Sequence, residues 1–325
     1  MIQAVPTRVL VAGSGSIAVR HVRNLLALGV AEVVVVTARD LSADDAFSSP
    51  RIRVVDSIPA DCPPVALVAT DTSRHVAVAR ELVAAGAHVL VEKPIATRDP
   101  HHAKLLAEEA AASGLCVRVA YNMRLLGAIR RIGESIAAGA IGDVLFARIE
   151  AGQWLPDWRP DRDYRQSYSA SASEGGVGLD LSHELDYMCA LFGMPASWKT
   201  LRAQTGQLQI ESEDVFEGLY SYSNGSLVSV HLDYLEKTPR RTMRVVGAKG
   251  SIECDMIGHR LTTSSAQDVS VVRDDELFDM SDTYVSEVTS FLEEIAGGPR
   301  GLPTIEEGLD VLRLLNDSPE VDHRV

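Results

Sequence analysis

Between Thr7 and Tyr121 short β-branched runs alternate with alanine-rich stretches, and no other feature of the chain constrains its fold as much. The segments RVLVAG (8–13), AEVVVVT (31–37), VALVAT (65–70), HVLVE (88–92) and CVRVAY (116–121) read as strands. Between them, SIAVRHVRNLLALG (16–29), SRHVAVARELVAAG (73–86) and DPHHAKLLAEEAAASG (99–114) carry apolar residues at helical spacing and end on glycine. Strands that are apolar throughout belong in a parallel sheet covered on both faces, so residues 1–122 are expected to form a doubly wound α/β domain.

From Met123 onward the texture changes. One helical stretch, LLGAIRRIGESIAAG, precedes runs that alternate apolar and polar residues: DVLFARIEAG (143–152), DVFEGLYSYSNGSLVSVHLDYL (214–235) and TMRVVGAKGSIECDM (242–256). Asn224-Gly225 and Lys249-Gly250 mark turns between them. A last helical stretch, TIEEGLDVLRLL (304–315), follows the turn GGPRGLP. Residues 123–325 are therefore expected to form a C-terminal α+β domain with a large, mostly antiparallel sheet. The length of 325 residues also favours two cores over one.

Composition narrows the function classes. A chain with 46% hydrophobic and 23% charged residues is an ordinary globular one. Its net charge of −14, from 31 basic and 45 acidic residues without a Lys/Arg block, argues against nucleic acid as a partner. No run of about 18 apolar residues is present, and MIQAVPTRVLVAG lacks a basic, apolar leader, so neither membrane nor export is expected. Cys62, Cys116, Cys189 and Cys254 are scattered singly, which fits reduced thiols in a cytoplasm. Metal binding is not expected either, since there is no HExxH and no close His/Cys cluster.

The first strand runs into GSGSIA (13–18), with Gly13, Gly15 and Ala18 at the spacing of a dinucleotide fingerprint. Gly13 permits the tight turn, Gly15 lets backbone approach a pyrophosphate, and Ala18 lets helix pack on strand. Ser16 and Ile17 open a helix aimed at the anion, as in a Rossmann fold. At the end of the second strand, where an NAD site usually places an acid on the ribose 2′-hydroxyl, stand Thr37, Ala38 and Arg39. A hydroxyl and a guanidinium suit a 2′-phosphate, so NADP is expected over NAD. NAD stays open, with Arg39 in solvent and Asp40 on the ribose.

Together GSGSIA, ATDTSRH (69–75), HVLVEKP (88–94) and EGGVGLDLSHELDYMCALFG (174–193) make the chain resemble the glucose-fructose oxidoreductase / inositol dehydrogenase (Gfo/Idh/MocA) family over essentially its whole length. The resemblance implies an NAD(P)-dependent dehydrogenase or reductase acting on a ring hydroxyl or ketone of a sugar, sugar nucleotide or cyclic polyol. It also implies Lys93 between nicotinamide and substrate, a cis Lys93–Pro94 peptide, and a homo-oligomer formed through the antiparallel sheet. The residues agree, because hydride transfer at a carbinol carbon needs a proton to leave or join the oxygen, and a positioned cation beside it lowers the barrier. Glu92 is expected to orient the nicotinamide or its ribose, or else to pair with a neighbouring base. Thr70 and Thr72 would line the cofactor, and His75 would reach the ribose, cap a helix or lie at the surface. Alternatives are a dihydrodiol- or imine-type reductase of the same family, and a non-catalytic dinucleotide-binding sensor.

On the substrate side, Asp180, His183, Glu184 and Asp186 read as one helix, with Asp180 and His183 on a shared face. In the family pattern an acid stands four residues before the histidine, whereas Asp180 stands three before His183. His183 and Glu184 therefore both remain candidates for the pocket, with His183 preferred, and Asp180 and Lys93 complete the expected catalytic set. GQWLPDWRPDRDYRQSY (152–168) offers Trp154, Trp158, Arg159, Arg162, Tyr164 and Arg165. Aromatic faces and guanidinium forks suit a polar, hydroxyl-rich or anionic small molecule, and the alternative is an exposed loop gripping its own neighbours or a partner subunit. The family resemblance adds Asn122 and Arg124 as substrate contacts.

Overall fold

A computed structural model describes residues 5–97, 101–158 and 160–316. Its first sheet is parallel throughout, with strands β1 (Arg8–Ala12), β2 (Glu32–Val36), β3 (Ile52–Val55), β4 (Val65–Val68), β5 (His88–Glu92) and β6 (Val117–Ala120) in the order β3-β2-β1-β4-β5-β6. Val9–Val11, Val33–Val35 and Val89–Val91 are fully buried, as apolar runs covered on both faces must be. Helices α1 (Ser16–Ala27), α2 (His75–Ala84) and α3 (His101–Ser113) supply the crossovers, α1 burying Ala18, Val22 and Leu25. Strand β3 lies outside the sequence expectation. It is four residues long, half-exposed and interrupted by Arg53, so its hydrophobic signal is weak.

Strand order reverses between β1 and β4, which pair directly, and the carboxyl ends of β1, β4 and β5 therefore stand side by side. Open α/β sheets bind ligands at such a switch point.

The rest of the chain contributes α4 (Gly127–Ala137) and a sheet of eight strands: β7 (Val144–Gly152), β8 (Ser197–Ala203), β9 (Val215–Ser221), β10 (Leu227–Asp233), β11 (Arg240–Gly247), β12 (Gly250–Asp255), β13 (Arg260–Ser265) and β14 (Val269–Val272). Every pairing in it is antiparallel except β7 with β10. Period-two alternation buries Ala147, Ile149 and Ala151 of β7 with Val228, Val230 and Leu232 of β10, and leaves the other face exposed. The helices α5 (Val177–Asp180) and α6 (His183–Phe192) precede β8, and α7 (Met280–Ile295) and α8 (Ile305–Leu314) close the chain.

The described residues divide into two compact units, one of those up to 122 with 281–309, the other of those from 123 to 280 with 310–316. The sequence reading runs the second domain unbroken from 123 to 325. In the structure, the segment 281–309 serves the first unit: Thr283 Oγ1 accepts from Asn122 Nδ2 at 2.7 Å, and the Pro303 carbonyl accepts from the Val119 N–H at 3.0 Å. Strand β6 is the last strand of its sheet, and this segment satisfies an edge N–H that would otherwise have no partner. Among the described residues no helix is long and apolar enough to cross a membrane.

Gly13 is held at φ +123°, and a Cβ there would overlap the carbonyl of Ala69 at the end of β4. Gly15, at φ −76°, has nothing within 4 Å of its Cβ position. Gly13→Ala is therefore expected to lower the unfolding free energy by roughly 2 kcal/mol or more, while Gly15→Ala changes it by less than about 0.5 kcal/mol. Urea unfolding of both variants beside the parent chain measures the difference.

Candidate active site

Helix α1 begins with Gly15 as its N-cap, a residue with no side chain to accept from the first-turn N–H groups. Those donors need a partner, and the first turn contains no acidic residue to complement the dipole. Ser16 is exposed and Ile17 half-exposed beside them, whereas Ala18 is fully buried. An extended backbone such as that of Gly15 accepts any residue, and the space around it is open. The chain thus has no internal need for glycine here, and the open helix start fits a bound phosphate.

The end of β2 closes over this loop. Thr37 Oγ1 lies 3.0 Å from Ser14 Oγ, and the Arg39 main-chain N–H donates to the same threonine oxygen at 3.2 Å. The Arg39 guanidinium folds back to donate to the Ser14 carbonyl at 3.0 Å and to Ser14 Oγ at 3.3 Å. Asp40 turns the other way, accepting the Ser42 N–H at 2.9 Å, and its hydrogen bonds with Ser42 hold its carboxyl below the ordinary range. The basic side chain faces the glycine loop, and the acid serves its own turn.

At the neighbouring strand ends, Thr70 Oγ1 donates to the Asp71 carbonyl and Thr72 opens a short 3₁₀ turn. His75 is buried, with Nδ1 2.9 Å from the Pro94 carbonyl and Nε2 3.1 Å from the Thr70 carbonyl. Burial pushes its pKa down, and a neutral ring can donate to only one of the two carbonyls at a time. With each ring nitrogen facing a main-chain carbonyl, His75 sits between the Thr70 and Pro94 segments, bonded to one of them through its single N–H, and does not extend toward a ribose. The Lys93–Pro94 peptide is cis. Lys93 is half-buried at the end of β5, and its main-chain N–H donates to Glu92 Oε2 at 3.2 Å. Glu92 Oε1 meets His21 Nε2 at 2.8 Å, so Glu92 pairs with a neighbouring base. His21 escaped the sequence reading, although a histidine three residues after Ala18 and one before Val22, in the buried stripe of α1, is the signal that marks it.

In the second unit the expected single helix is broken. Helix α5 ends at Asp180 and α6 starts at His183, with Ser182 as its N-cap, so the i, i+3 argument for a shared face does not apply to them. Asp180 is buried, and its Oδ2 accepts from Ser169 Oγ and from Tyr234 Oη, each at 2.6 Å. Burial and the charge of Asp180 push the Tyr234 phenol well up, which keeps it a donor. Glu184 and Asp186 are both 0% exposed; Arg241 Nε donates to the first and Arg124 Nε to the second, each at 2.7 Å. Both acids are structural counter-ions, while His183 retains partial exposure.

Trp158 stacks edge-on against Tyr234 with centroids 5.4 Å apart, and its buried indole N–H has no acceptor among the described residues. Tyr164 Oη donates to the Leu208 carbonyl at 3.0 Å, and exposed Arg165 pairs with Asp163 at 2.9 Å. Lys237 covers the face of Trp154, Arg162 is exposed, and Arg159 lies outside the described residues. Trp158, through Tyr234, therefore connects to Asp180, whereas Tyr164 and Arg165 hold the loop to itself. Tyr234, missed in the sequence, lies beside a strand end in HLDYL and offers no local motif.

Residues 7–121 match the family model described as "Oxidoreductase family, NAD-binding Rossmann fold", and residues 129–253 match the GFO/IDH/MocA C-terminal domain. Oxidoreductase P35 of Formosa agariphila is 26% identical over 199 residues, 61% of this chain and 61% of that protein, so the match spans under two thirds of the relative's length. The 1,5-anhydro-D-fructose reductase of Ensifer adhaerens is 26% identical over 255 residues, covering 74% of this chain and 72% of the reductase. A solved levoglucosan dehydrogenase in complex with NADH superposes with a TM-score of 0.81 at 21% identity, covering 94% of each chain, a likeness of fold. The chain belongs to the GFO/IDH/MocA family of oxidoreductases with an NAD-binding Rossmann fold.

Proposed function

We propose that this protein is an NADP-preferring oxidoreductase acting on a ring hydroxyl or ketone of a sugar, sugar nucleotide or cyclic polyol. The observation that carries the reading is the start of α1: an uncapped row of N–H donors beside a glycine that the chain itself does not need, with the Arg39 guanidinium folded onto Ser14 next to it. The donors suit a pyrophosphate, and Arg39 with Thr37 suits a 2′-phosphate. Bound nicotinamide supplies or accepts the hydride. Lys93, at the end of β5, stabilises the oxygen at the reacting carbon and exchanges its proton, in a segment that His75 faces at the Pro94 carbonyl.

His183 is assigned to positioning substrate, with Asp180 just before it and Trp158 offering an aromatic face. Glu184, held by Arg241, is not a candidate for that role. Sugar-like substrates are supported by the names of the reductase and the levoglucosan dehydrogenase to which the chain is similar. Self-association through the second sheet belongs to the same reading, since Leu201, Leu219 and Leu227 stand exposed on its strands.

Arg39→Ala is expected to weaken NADPH binding about tenfold or more and to leave NADH nearly unchanged, and Gly15→Ala is expected to weaken both. Fluorescence titration of the two dinucleotides reads this directly, and a parent chain that prefers NADH removes the 2′-phosphate assignment. Lys93→Met is expected to lower kcat by about 10³-fold with dinucleotide Kd within about threefold of the parent. Turnover measured on a panel of sugars and sugar nucleotides decides it, and a variant as active as the parent takes Lys93 out of the mechanism.

A further inference from the structure

Behind the end of β5 three ionisable side chains from distant parts of the sequence meet. His21 comes from α1, Glu92 from β5 and Glu287 from α7, and one ligand atom of each lies within 4.8 Å of the others. His21 and Glu287 are each 1% exposed, and Glu92 is buried as well. His21 and Glu92 bond each other at 2.8 Å. Both carboxylate oxygens of Glu287 are buried without a hydrogen-bond partner among the described residues, and so is His21 Nδ1.

An acid buried beside a second acid, with no donor in reach, is an expensive arrangement. Protonation relieves the charge, and burial with the neighbouring Glu92 does push the Glu287 carboxyl well up. A proton on Glu287 neutralises that one group, however, and leaves His21 Nδ1 buried without a hydrogen-bond partner among the described residues. A cation at the centre of the three groups satisfies all of them together, and two carboxylates balance a double charge. One imidazole with two carboxylates suits a first-row transition ion; calcium and magnesium prefer oxygen alone.

We propose that His21, Glu92 and Glu287 form a binding site for one divalent transition-metal ion, with zinc the probe of choice. The ion is a structural clamp. It ties α7, which returns to the first unit after the chain has passed through the second, to α1 and to the end of β5. Glu92 Oε2 accepts the Lys93 main-chain N–H, so the clamp also braces the backbone that carries Lys93. This inference goes beyond the proposed oxidoreductase reaction and does not depend on it.

The test uses the full chain, stripped with a chelator and titrated with zinc, with metal content measured after dialysis and the unfolding temperature followed alongside. The expected result is one ion per chain and a rise in unfolding temperature, with a cobalt-substituted spectrum free of thiolate charge-transfer bands. Glu287→Gln and His21→Asn are expected to weaken binding by about 100-fold, while replacing the exposed His101 and His102 by glutamine has no effect. Uptake well below one ion per chain by the parent overturns the site whatever the variants do, and leaves a buried proton in its place. Binding retained in Glu287→Gln, or lost only with His101 and His102, overturns it too. Nothing in this readout depends on turnover, so its failure and a failure of the proposed reaction are distinguishable.

Discussion

The close passage of Gly13 under the Ala69 carbonyl is the constraint from which the candidate site follows. It joins the end of β1 to the end of β4, where strand order reverses. Because no side chain fits between them, the loop after β1 turns at once into α1, and α1 presents its first N–H groups at the rim of the sheet. Ser14, in the middle of that loop, then becomes the acceptor that draws Arg39 inward, so the same turn sets both the helix start and the charge beside it. Backbone crowding at one residue thereby fixes the place of the open helix start and of its basic neighbour.

The second unit organises its polar residues differently. Three acids within seven residues, Asp180, Glu184 and Asp186, are all buried, and each has named donors: Ser169 and Tyr234, Arg241, and Arg124. Charges removed from water require such partners, and supplying them from β11, from the segment after β10 and from the chain before α4 pins the start of α6 from several directions. His183, at the first position of that helix, is held by a backbone with little freedom left. Precision at this position comes from the ion pairs behind it.

Much of the fold was legible because period-two and helical patterns survive wherever an element is long and one face is buried. β1, β2, β4, β5 and β6, the β9–β10 hairpin, and α1 to α3 all have that signature in the described residues. β3, β8, β13 and β14 lack it, being short or lying toward the sheet edges, where exposed positions dilute the alternation. At the candidate site, the turn through Gly13 and Gly15 into α1 was readable because its glycines stand close together in sequence, and the place of Thr37 and Arg39 because they follow directly on β2. The Glu92–His21 pair was not, since its members are 71 residues apart and only the sheet order brings them together. The helix break between Asp180 and His183 was hidden for another reason: the residues around it, Leu179 to Leu185, have the spacing of a continuous helix.

Glu92 shows how one residue can defeat both local and motif-based reading. Placed at the carboxyl end of a buried strand, its carboxylate cannot reach water readily, and the motif around it suggests a role toward the cofactor. Its two oxygens point to two different tasks. One accepts the N–H of Lys93 and steadies the chain at the strand end, and the other meets His21 in the packed stripe of α1. A third group, Glu287, arrives from the far end of the sequence on a helix whose buried face is otherwise Thr283, Val288, Phe291 and Leu292. An acid in such a stripe lowers stability unless something compensates it, so its presence beside Glu92 and His21 has to be explained by what the three hold in common. The energetic cost of burying Glu287 is thus coupled to the segment that carries Lys93, and any group that relieves it also stiffens the backbone of the candidate active site.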